Sequence, residues 1–424
     1  MAEQERRFDD VCVWTDTCAL AGAAAFFAAW RDAAVIVNGP MWCYYFALRH
    51  VEHGVADAAR RLSCTQLDND AIVFGAEDYL LEALQPYVEE PPQLLAIVSS
   101  CAAGLIGDDV AAIARAAGIS APLVAVDSSG LAGSFAAGWE KAACAALDAL
   151  LPERGKGELQ GVNLLGVTAG YYNGENDVRE LVRLLQLVGY EVNAVLGCGR
   201  EAKELARLPT AALNIVVHKE LGLRAAEQLE KKYGTPYVAP LPPYGRAGTR
   251  LWLEEIARAL PASREEAALE EIARAEREDF LRLNEIKSMW GELWFDEVLV
   301  RAPASVAWGL ARALRTEWAD VRRLAVAAGG EEPEARGIAD EIFSEVQAKD
   351  IEGFLAAMQD GLLLASSNEA AQVEVRRAQF LPVAYPVLDR LHLTDAPLMG
   401  LRGSRFIEEQ LWNDSILRRQ WRNH

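Results

Sequence analysis

The chain has 424 residues, of which 51% are hydrophobic, and a formal net charge of −20 at pH 7. This length is sufficient for two or three α/β domains, each with its own core. The negative charge argues against nucleic acid or an anionic membrane as a partner, because both are bound by clustered cations.

No apolar run approaches the roughly 18–20 residues that a transmembrane helix needs. The charged N-terminal sequence MAEQERRFDD does not resemble a secretory signal, so we expect a cytoplasmic protein. The seven cysteines are not expected to form a disulfide framework, which is typical of small secreted domains. In a reducing compartment cysteines serve as small buried residues or as metal ligands.

The first third of the chain alternates short apolar runs with helical segments. Strands are predicted for AAVIVNG (33–39), AIVFG (71–75), LLAIVSS (94–100) and PLVAVDS (122–128). Helices are predicted over 77–87 and 108–117, and an Ala-rich core helix over 19–30. Short strands separated by helices indicate parallel βαβ units, in which ligands bind beyond the carboxyl ends of the strands.

The rest of the chain repeats this alternation after a polar, Pro- and Gly-containing segment at 151–157. Strands are predicted over 161–167, 190–197, 212–218, 297–303, 324–330 and 361–367. Helices are predicted over 177–188, 221–233, 263–287 and 306–314, and a last one from near 403. The prolines of TPYVAPLPPYG exclude a central strand there. We therefore predict an α/β protein of three Rossmann-like, doubly wound parallel-sheet domains (1–155, 156–290 and 291–424) around a central cleft.

Three cysteines have distinctive surroundings: C-A-L-A-G-A at Cys18, N-G-P-M-W-C at Cys43 and S-S-C-A-A-G-L-I-G-D-D at Cys101. Cys101 closes one predicted strand and the N-G-P segment follows another, where parallel sheets bind ligands. We interpret the three thiolates as ligands of one iron–sulfur cluster, because the irons of such clusters prefer thiolate sulfur. Buried structural cysteines are the alternative.

These surroundings resemble the nitrogenase component 1 family, the large catalytic component of nitrogenase and its relatives. In that family a C-x-x-x-G-A-type start, an HGPxGC or HGSQGC segment and an STCxxxxIGDD segment jointly hold half of an iron–sulfur cluster. The 25-residue step from Cys18 to Cys43 is similar to the family's. Three further segments resemble it: 70–77 (DAIVFGAE), 214–237 (NIVVHKELGLRAAEQLEKKYGTPY) and 381–404 (LPVAYPVLDR to PLMGLRGS).

The resemblance implies a cluster held by Cys18, Cys43 and Cys101, either [4Fe-4S] or a larger [8Fe-7S] type, with an identical or homologous subunit across it. It also implies a separate P-loop iron–sulfur ATPase that donates electrons, and a small-molecule substrate or a cofactor in the central cleft. The chain has no GxxxxGK[ST] loop, so it is not expected to hydrolyse ATP itself.

Two departures from the family affect the expected chemistry. His218 and Met399 stand where the α-type nitrogenase subunit has the cysteine and histidine that bind the large iron–molybdenum cofactor, so that ligand pair is absent. Whether a second metallocofactor is present stays open. Trp42 replaces a family glycine before Cys43. We predict a catalytic role for His218 as proton donor or ligand, the alternative being a strand-end histidine bonded to backbone.

The function predicted from the sequence is therefore a subunit of a nitrogenase-like, iron–sulfur reductase. The runner-up is a non-catalytic scaffold for metallocluster assembly, and the third reading is a metal-free binding protein. The sequence does not identify a fourth cluster ligand. It could come from the partner subunit or from a non-cysteine residue, or the three cysteines could belong to a double cluster shared at the interface. Residues considered as substitutes or additional site residues are Cys12, Cys64, Ser129 or Gly130, Cys198 and His392.

Overall fold

The computed structural model describes residues 17–130, 133–152, 161–329, 337–344, 347–391 and 393–422. These residues form three parallel sheets, and the predicted α/β fold class is confirmed. One compact unit contains Thr17–Glu175 and Glu191–Ala239, and a second contains Asn176–Tyr190 and the residues from Pro240 onward. The predicted domain boundaries stay a prediction. Cys12, His392 and most of the 151–157 segment lie outside the described residues.

The first sheet has the strand order β2-β1-β3-β4. Its strands are β1 (Ala33–Asn38), β2 (Leu62–Cys64), β3 (Leu94–Ser99) and β4 (Leu123–Asp127). Its helices are α1 (Ala19–Ala28), α2 (Met41–Val51), α3 (Ala58–Arg61), α4 (Asn69–Phe74), α5 (Glu77–Glu89), α6 (Cys101–Ile106), α7 (Val110–Ala116) and α8 (Phe135–Leu150). β1 and β3 are buried along their whole length, as their continuous apolar sequences predict.

The strand predicted over 71–75 is wrong, because these residues form the end of α4. Asp68 begins this helix, and its carboxylate accepts hydrogen bonds from the backbone N–H of Asp70 at 3.0 Å and of Ala71 at 3.1 Å. The strand beside β1 at the edge of the sheet is instead the shorter β2. A run of four or five apolar residues does not distinguish a strand from a helical turn, and here the N-terminal cap decides.

The second sheet, in the same compact unit, has the strand order β6-β5-β7-β8. Its strands are β5 (Val162–Leu165), β6 (Val192–Leu196), β7 (Leu213–Val216) and β8 (Tyr237–Val238). A 3₁₀ segment covers Ala202–Thr210 and helix α10 covers Lys219–Tyr233. The proline-rich segment after 235 contributes only the two-residue edge strand β8, as its prolines predict.

The third sheet lies in the other compact unit and has the order β11-β10-β9-β12-β13. Its strands are β9 (Trp294–Arg301), β10 (Asp320–Ala327), β11 (Glu341–Phe343), β12 (Gly361–Ala365) and β13 (Ala378–Pro382). The remaining helices are α9 (Gly174–Val188), α11 (Gly245–Ala259), α12 (Glu265–Trp290), α13 (Ala304–Ala313), α14 (Ala348–Ala357), α15 (Ser367–Ala370) and α16 (Gly400–Arg422), with a π-helical turn at Leu314–Trp318. The charged helix and the C-terminal helix expected from the sequence are both confirmed.

Helix α1 is buried along its whole length and packs against α8. The contact is so close that a side-chain carbon on Gly138 would lie 1.8 Å from the carbonyl oxygen of Ala19. Only glycine allows this approach. Because Ala19 is the first residue of α1, the contact also fixes the position of Cys18 immediately before it.

Asp177, on α9, is a buried carboxyl group in the second compact unit. It accepts hydrogen bonds from the backbone N–H of Leu398 at 2.6 Å and of Met399 at 2.8 Å. Burial raises its pKa to about 7, although the two N–H groups act in the opposite direction. The Asp177 side chain therefore anchors the backbone at Met399, just before α16.

We predict that Asp177→Asn removes part of the pH dependence of stability. Because the folded pKa of Asp177 is about 7, the native state keeps a proton between about pH 4 and about pH 7 that the unfolded chain releases, so stability falls as pH rises through this window. Asparagine keeps an oxygen for both N–H groups. As the pH rises through this window, the free energy of unfolding of the variant should increase relative to that of the wild type by up to about 4 kcal/mol. Thermal unfolding midpoints at several pH values measure this, and a pH-independent difference would contradict it.

A second prediction concerns the contact between α1 and α8. Gly138→Ala should destabilise the protein by about 1–3 kcal/mol, because the added carbon overlaps Ala19. Gly353→Ala on α14 is the matched control, since an added carbon there meets no atom within 4 Å. The control should stabilise by about 0.5–1 kcal/mol through its helix propensity. Denaturant midpoints of both variants test the pair, and equal effects would refute the close packing.

Candidate iron–sulfur site

Two of the predicted ligands follow neighbouring parallel strands at one edge of the first sheet. Asn38, the last residue of β1, pairs with Ser99, the last residue of β3. The chain then turns into α2, which carries Cys43 in its first turn, and into α6, whose first residue is Cys101. The strand alignment therefore brings these two cysteines to the same edge.

The third predicted ligand, Cys18, reaches this edge from another direction. It is the residue that begins α1, and it forms an isolated antiparallel bridge with Ser134, which begins α8. The N–H of Ala19 donates to the carbonyl oxygen of Gly133 at 3.0 Å. These contacts hold Cys18 against the segment that follows β4.

Gly130 shows how close Cys18 and Cys101 are. A side-chain carbon on Gly130 would lie 3.4 Å from the sulfur of Cys101 and 3.5 Å from the sulfur of Cys18. The two sulfur atoms therefore both lie close to the backbone at Gly130. The absence of a side chain at Gly130 leaves the space between them free.

Cys43 interacts electrostatically with both other cysteines. Burial, with smaller contributions from the nearby thiols of Cys18, Cys101 and Cys64, raises the pKa of its thiol to about 11. The three predicted ligands are thus brought together by the fold, although they are separated in sequence. The same effect identifies Cys64 as a fourth neighbour.

Cys64, at the end of β2, uses its sulfur in backbone hydrogen bonds. The thiol donates to the carbonyl oxygen of Gly39 at 3.2 Å and accepts from the N–H of Gln66 at 3.3 Å. A free thiol can make both bonds, whereas a thiolate would repel the Gly39 oxygen. This arrangement favours the structural interpretation of Cys64 over its use as a substitute ligand.

The sulfur of Cys101 accepts hydrogen bonds from the segment after β4. The N–H of Gly130 donates to it at 3.0 Å, and the hydroxyl of Ser129 lies 3.6 Å away. Donors of this kind stabilise a thiolate and raise the reduction potential of a cluster bound to it. Ser129 thus lies beside the predicted ligands, at one of the two positions considered for a serine ligand.

The spacing of the cysteines suits a cluster better than a single ion. Among the described residues, no three Cys, His, Asp or Glu side chains are close enough to ligate one metal ion. In an iron–sulfur cluster each thiolate binds its own iron, so the ligands surround a larger group. Three partly accessible or exposed sulfurs at one edge, with N–H and O–H donors beside them, fit such a group.

The surface next to Cys43 is strongly apolar, which the sequence motifs alone do not indicate. Trp42 is 70% exposed and lies in ring contact with Tyr45 and Phe46 on α2. Two further apolar side chains on other helices are also exposed, Phe74 on α4 at 84% and Leu105 on α6 at 80%. The sequence signal for this apolar surface is the spacing of Trp42, Tyr45 and Phe46, which places the three side chains within about one helical turn of each other.

His218 is the N-terminal cap residue of α10, two residues beyond the end of β7. Its side chain is buried, and burial lowers its pKa to about 3, so the imidazole is neutral at pH 7. The edge of its ring faces Tyr171, with 5.0 Å between centroids. The hydroxyl of Tyr171 donates to Glu220 at 3.2 Å. A neutral imidazole at this position is suited to hydrogen bonding or ligation more than to acid catalysis.

His50 is a structural residue within this unit. One ring nitrogen lies 3.1 Å from the hydroxyl of Thr17 and the other 2.9 Å from the carbonyl oxygen of Gly170. Its ring stacks on Phe135 at 4.5 Å, and burial lowers its pKa to about 3. Both ring nitrogens are thus engaged by contacts within the unit. Cys198 is buried, and Cys144 is half-buried on α8.

A comparison with protein-family models gives one match over nearly the whole chain. Residues 18–415 match the family described as nitrogenase component 1 type oxidoreductase. The chain belongs to this family. The three cysteines lie within the matched range, and the family resemblance inferred from their motifs is confirmed.

The chain is similar in sequence to two kinds of protein, a cofactor biosynthesis protein and a reductase subunit. The nitrogenase iron-molybdenum cofactor biosynthesis protein NifE of Clostridium pasteurianum is 32% identical over 229 residues, covering 52% of this chain and 49% of the relative. A subunit of the light-independent protochlorophyllide reductase of Rhodopseudomonas palustris (strain TIE-1) is 31% identical over 195 residues, covering 43% and 36%. The chain spans about half or less of the length of these relatives.

Solved structures agree in fold over the whole chain. Nitrogenase Cp1 at pH 6.5 superposes with a TM-score of 0.79 at 15% identity, covering 98% of this chain and 95% of that chain. The same protein at pH 5 gives 0.77 at 21% identity, covering 98% and 90%. In the part of the chain that the structure describes, no helix combines the length and apolar character needed to cross a bilayer.

Proposed function

We propose that this chain is a subunit of a nitrogenase-like reductase and that Cys18, Cys43 and Cys101 hold an iron–sulfur cluster. The observation that carries the proposal is the convergence of these three thiols at one edge of the first sheet. Each lies in a sequence motif that resembles one of the family. The thiols of Cys18 and Cys101 are both near enough to Cys43 to raise the pKa of its thiol. A [4Fe-4S] cluster or a larger [8Fe-7S] cluster is compatible with three thiolates from one chain.

The cluster would supply one-electron transfer, and the chain's residues would set its environment. The three thiolates would hold the irons, since soft anionic sulfur is their preferred ligand. The Gly130 N–H and the Ser129 hydroxyl would donate to the Cys101 sulfur and offset part of its charge. Burial around Cys43 would exclude water from that side.

We propose that an identical or homologous subunit completes the cluster site. Three thiolates leave a four-iron cluster one ligand short, and Cys64 is engaged in its own hydrogen bonds. The exposed aromatic side chains Trp42, Tyr45 and Phe46 adjoin Cys43 on α2, and large exposed apolar patches are typical of protein interfaces. The missing ligand and the apolar surface therefore have one common explanation.

The electron donor proposed is a separate iron–sulfur ATPase, because this chain has no phosphate-binding loop of its own. The substrate that we propose for this chain is a small molecule, bound where the imidazole of His218 can hydrogen-bond to it or ligate it. A second metallocofactor has no assigned ligands here. We also place the protein in the cytoplasm, where a reducing environment keeps cysteine thiols available as ligands.

A scaffold for metallocluster assembly is the second candidate. The NifE relative, a cofactor biosynthesis protein, favours it, and so does the absence of the usual cofactor ligands at His218 and Met399. The reductase subunit among the relatives favours the first candidate. Both functions need the same cluster cysteines, so the two candidates differ in what happens after the cluster is loaded.

We predict that Cys43→Ala and Cys101→Ala each remove most of the cluster iron. The measurement is iron and acid-labile sulfide per chain after anaerobic purification, with an EPR spectrum of the reduced protein. Cys144→Ala is the matched control, because that thiol is half-buried on α8 and its pKa is also raised by burial to about 11. Full iron content in both Cys43→Ala and Cys101→Ala would contradict the assignment of these residues as ligands. Absence of iron from the wild-type protein, even after reconstitution, would contradict the proposed function.

Turnover with a cognate iron–sulfur ATPase separates the two candidates. A reductase should consume ATP and reductant in the presence of substrate, with the cluster retained on the chain. A scaffold should instead release its cluster to an acceptor protein, which radioactive iron transferred to the acceptor would show. Iron transfer without substrate-dependent consumption of reductant would overturn the reductase proposal.

The proposed role of His218 predicts a separation of two readouts. His218→Gln should leave the iron and sulfide content unchanged, because the residue is not a cluster ligand in this assignment. It should lower turnover by about tenfold, the scale of one lost hydrogen bond to the substrate. Unchanged turnover would contradict the role, whereas a loss of iron would show that His218 serves the cluster site.

A further inference from the structure

The backbone that leads from β1 into α2 is short. Only Gly39 and Pro40 separate the end of the strand from the start of the helix. Cys43 lies in the first turn of α2, so the direction of this connection decides where its sulfur lies. A movement of the backbone at Gly39 would therefore be carried directly to a proposed cluster ligand.

Thr65, which follows the end of β2, holds this connection through its side chain. Its hydroxyl oxygen accepts a hydrogen bond from the N–H of Gly39 at 2.9 Å. The same hydroxyl donates to the side-chain oxygen of Asn38 at 3.1 Å and lies 3.4 Å from the carbonyl oxygen of Gly39. Thr65 is 6% exposed, so solvent is largely excluded from these bonds. One buried hydroxyl thus joins the end of β2 to the end of β1.

The connection is held on its other side by the end of β3, since β1 lies between β2 and β3 in the sheet. The N–H of Ser100 donates to the carbonyl oxygen of Asn38 at 2.9 Å. A side-chain carbon on Gly39 would lie 2.5 Å from the hydroxyl oxygen of Ser100, so these two residues are in close contact. Ser100 caps α6, whose first residue is Cys101.

These bonds hold both ends of a single peptide group, the one that joins Asn38 to Gly39. Its carbonyl oxygen is bound by Ser100 and its N–H by Thr65. A peptide group held at both ends cannot rotate without breaking a buried hydrogen bond, which is unfavourable because the freed group has no water to replace the partner. Without the Thr65 hydroxyl, only the carbonyl end of this group would stay fixed.

We propose that Thr65 is a positioning residue for the proposed cluster, because it fixes the peptide group between Asn38 and Gly39 and so places Cys43 relative to Cys101. The inference rests on the proposed function and adds a residue outside the three cysteine motifs. Thr65 acts through the backbone and is not a ligand. Residues that orient metal ligands in this way typically change metal affinity by roughly 10–100-fold when they are replaced.

The first test uses the full chain without a cluster. Thr65→Val removes the hydroxyl and keeps the branched shape of the side chain. The rate at which iodoacetamide alkylates the half-buried Cys43, measured by mass spectrometry relative to Cys144, should rise by about tenfold, the scale of one lost hydrogen bond. Thr65→Ser keeps the hydroxyl and should behave like the wild type.

The second test uses the reconstituted protein. Release of iron to a chelator should be roughly 10–100-fold faster in Thr65→Val than in the wild type. The EPR spectrum of the reduced variant should also change, because the sulfur of Cys43 would hold its iron in a different position. A residue that only contributed to overall stability would leave this spectrum unchanged. Thr65→Ser should restore both the rate and the spectrum.

Thr249→Val is the matched control. Thr249 is fully buried in the other compact unit, and its hydroxyl donates to the carbonyl oxygen of Gly245 at 2.6 Å. This variant also loses a buried hydroxyl, but it should leave the alkylation of Cys43, the release of iron and the EPR spectrum unchanged. Equal effects of Thr65→Val and Thr249→Val would overturn the proposal.

The two tests separate this proposal from the proposed function. An alkylation rate in Thr65→Val equal to that of the wild type would overturn the role of Thr65 in placing Cys43, whether or not iron is bound. Absence of iron from the reconstituted wild type would instead overturn the proposed function and the effect on the cluster. If Thr65→Val fails to fold, Asn38→Ala decides, since it removes the acceptor of the Thr65 hydroxyl and should also speed alkylation.

Discussion

The backbone pairing of β1, β3 and β4 is the constraint on which the candidate site depends. Parallel strands in register end at one edge of the sheet, so the segments that leave them begin side by side. Two short connections then carry Cys43 and Cys101 into the first turns of their helices. Cys18 is added by a different contact, the close packing of α1 against α8. The site is therefore a consequence of sheet register and one helix contact rather than of local sequence.

Crowded thiols explain why such a site is suited to metal. Burial first, and the neighbouring thiols second, disfavour the thiolate form of Cys43 and raise its pKa. Iron removes this penalty because each thiolate gains a positive partner when its proton leaves. The N–H of Gly130 acts in the same direction on Cys101. The fold thus holds the three proposed ligands where their thiolate form is disfavoured, a cost that a bound cluster would remove.

The relatives of this chain include a cofactor biosynthesis protein and a reductase subunit. The chain has sequence features that bear on each of these two tasks. The cysteine motifs resemble those of a cluster-bearing subunit, while His218 and Met399 replace the ligands of the large nitrogenase cofactor. His218 is buried and neutral, and Met399 is held through its backbone by Asp177. Each of these two residues is therefore described by the contacts it makes within its own compact unit.

Much of the fold could be predicted because periodicity and composition act locally. The apolar runs at β1, β3 and β4, the charged α12 and the proline-rich edge strand β8 all follow from residues close together in the chain. The sequence of 71–75 predicts a strand, because its apolar residues form a run too short to show the period of a helix. The cap formed by Asp68 decides its structure, and that hydrogen bond depends on the backbone geometry.

The sequence by itself determined the fold class, the family and the choice of three cysteines as candidate cluster ligands, because these are written in local patterns and motifs. Only the tertiary structure decided that Gly130 lies close to the sulfur atoms of both Cys18 and Cys101, that Cys64 is engaged by Gly39, and that Asp177 anchors the backbone at Met399. These are relations between residues far apart in the chain. Their physical origin is sheet register and helix packing, which a linear sequence does not display.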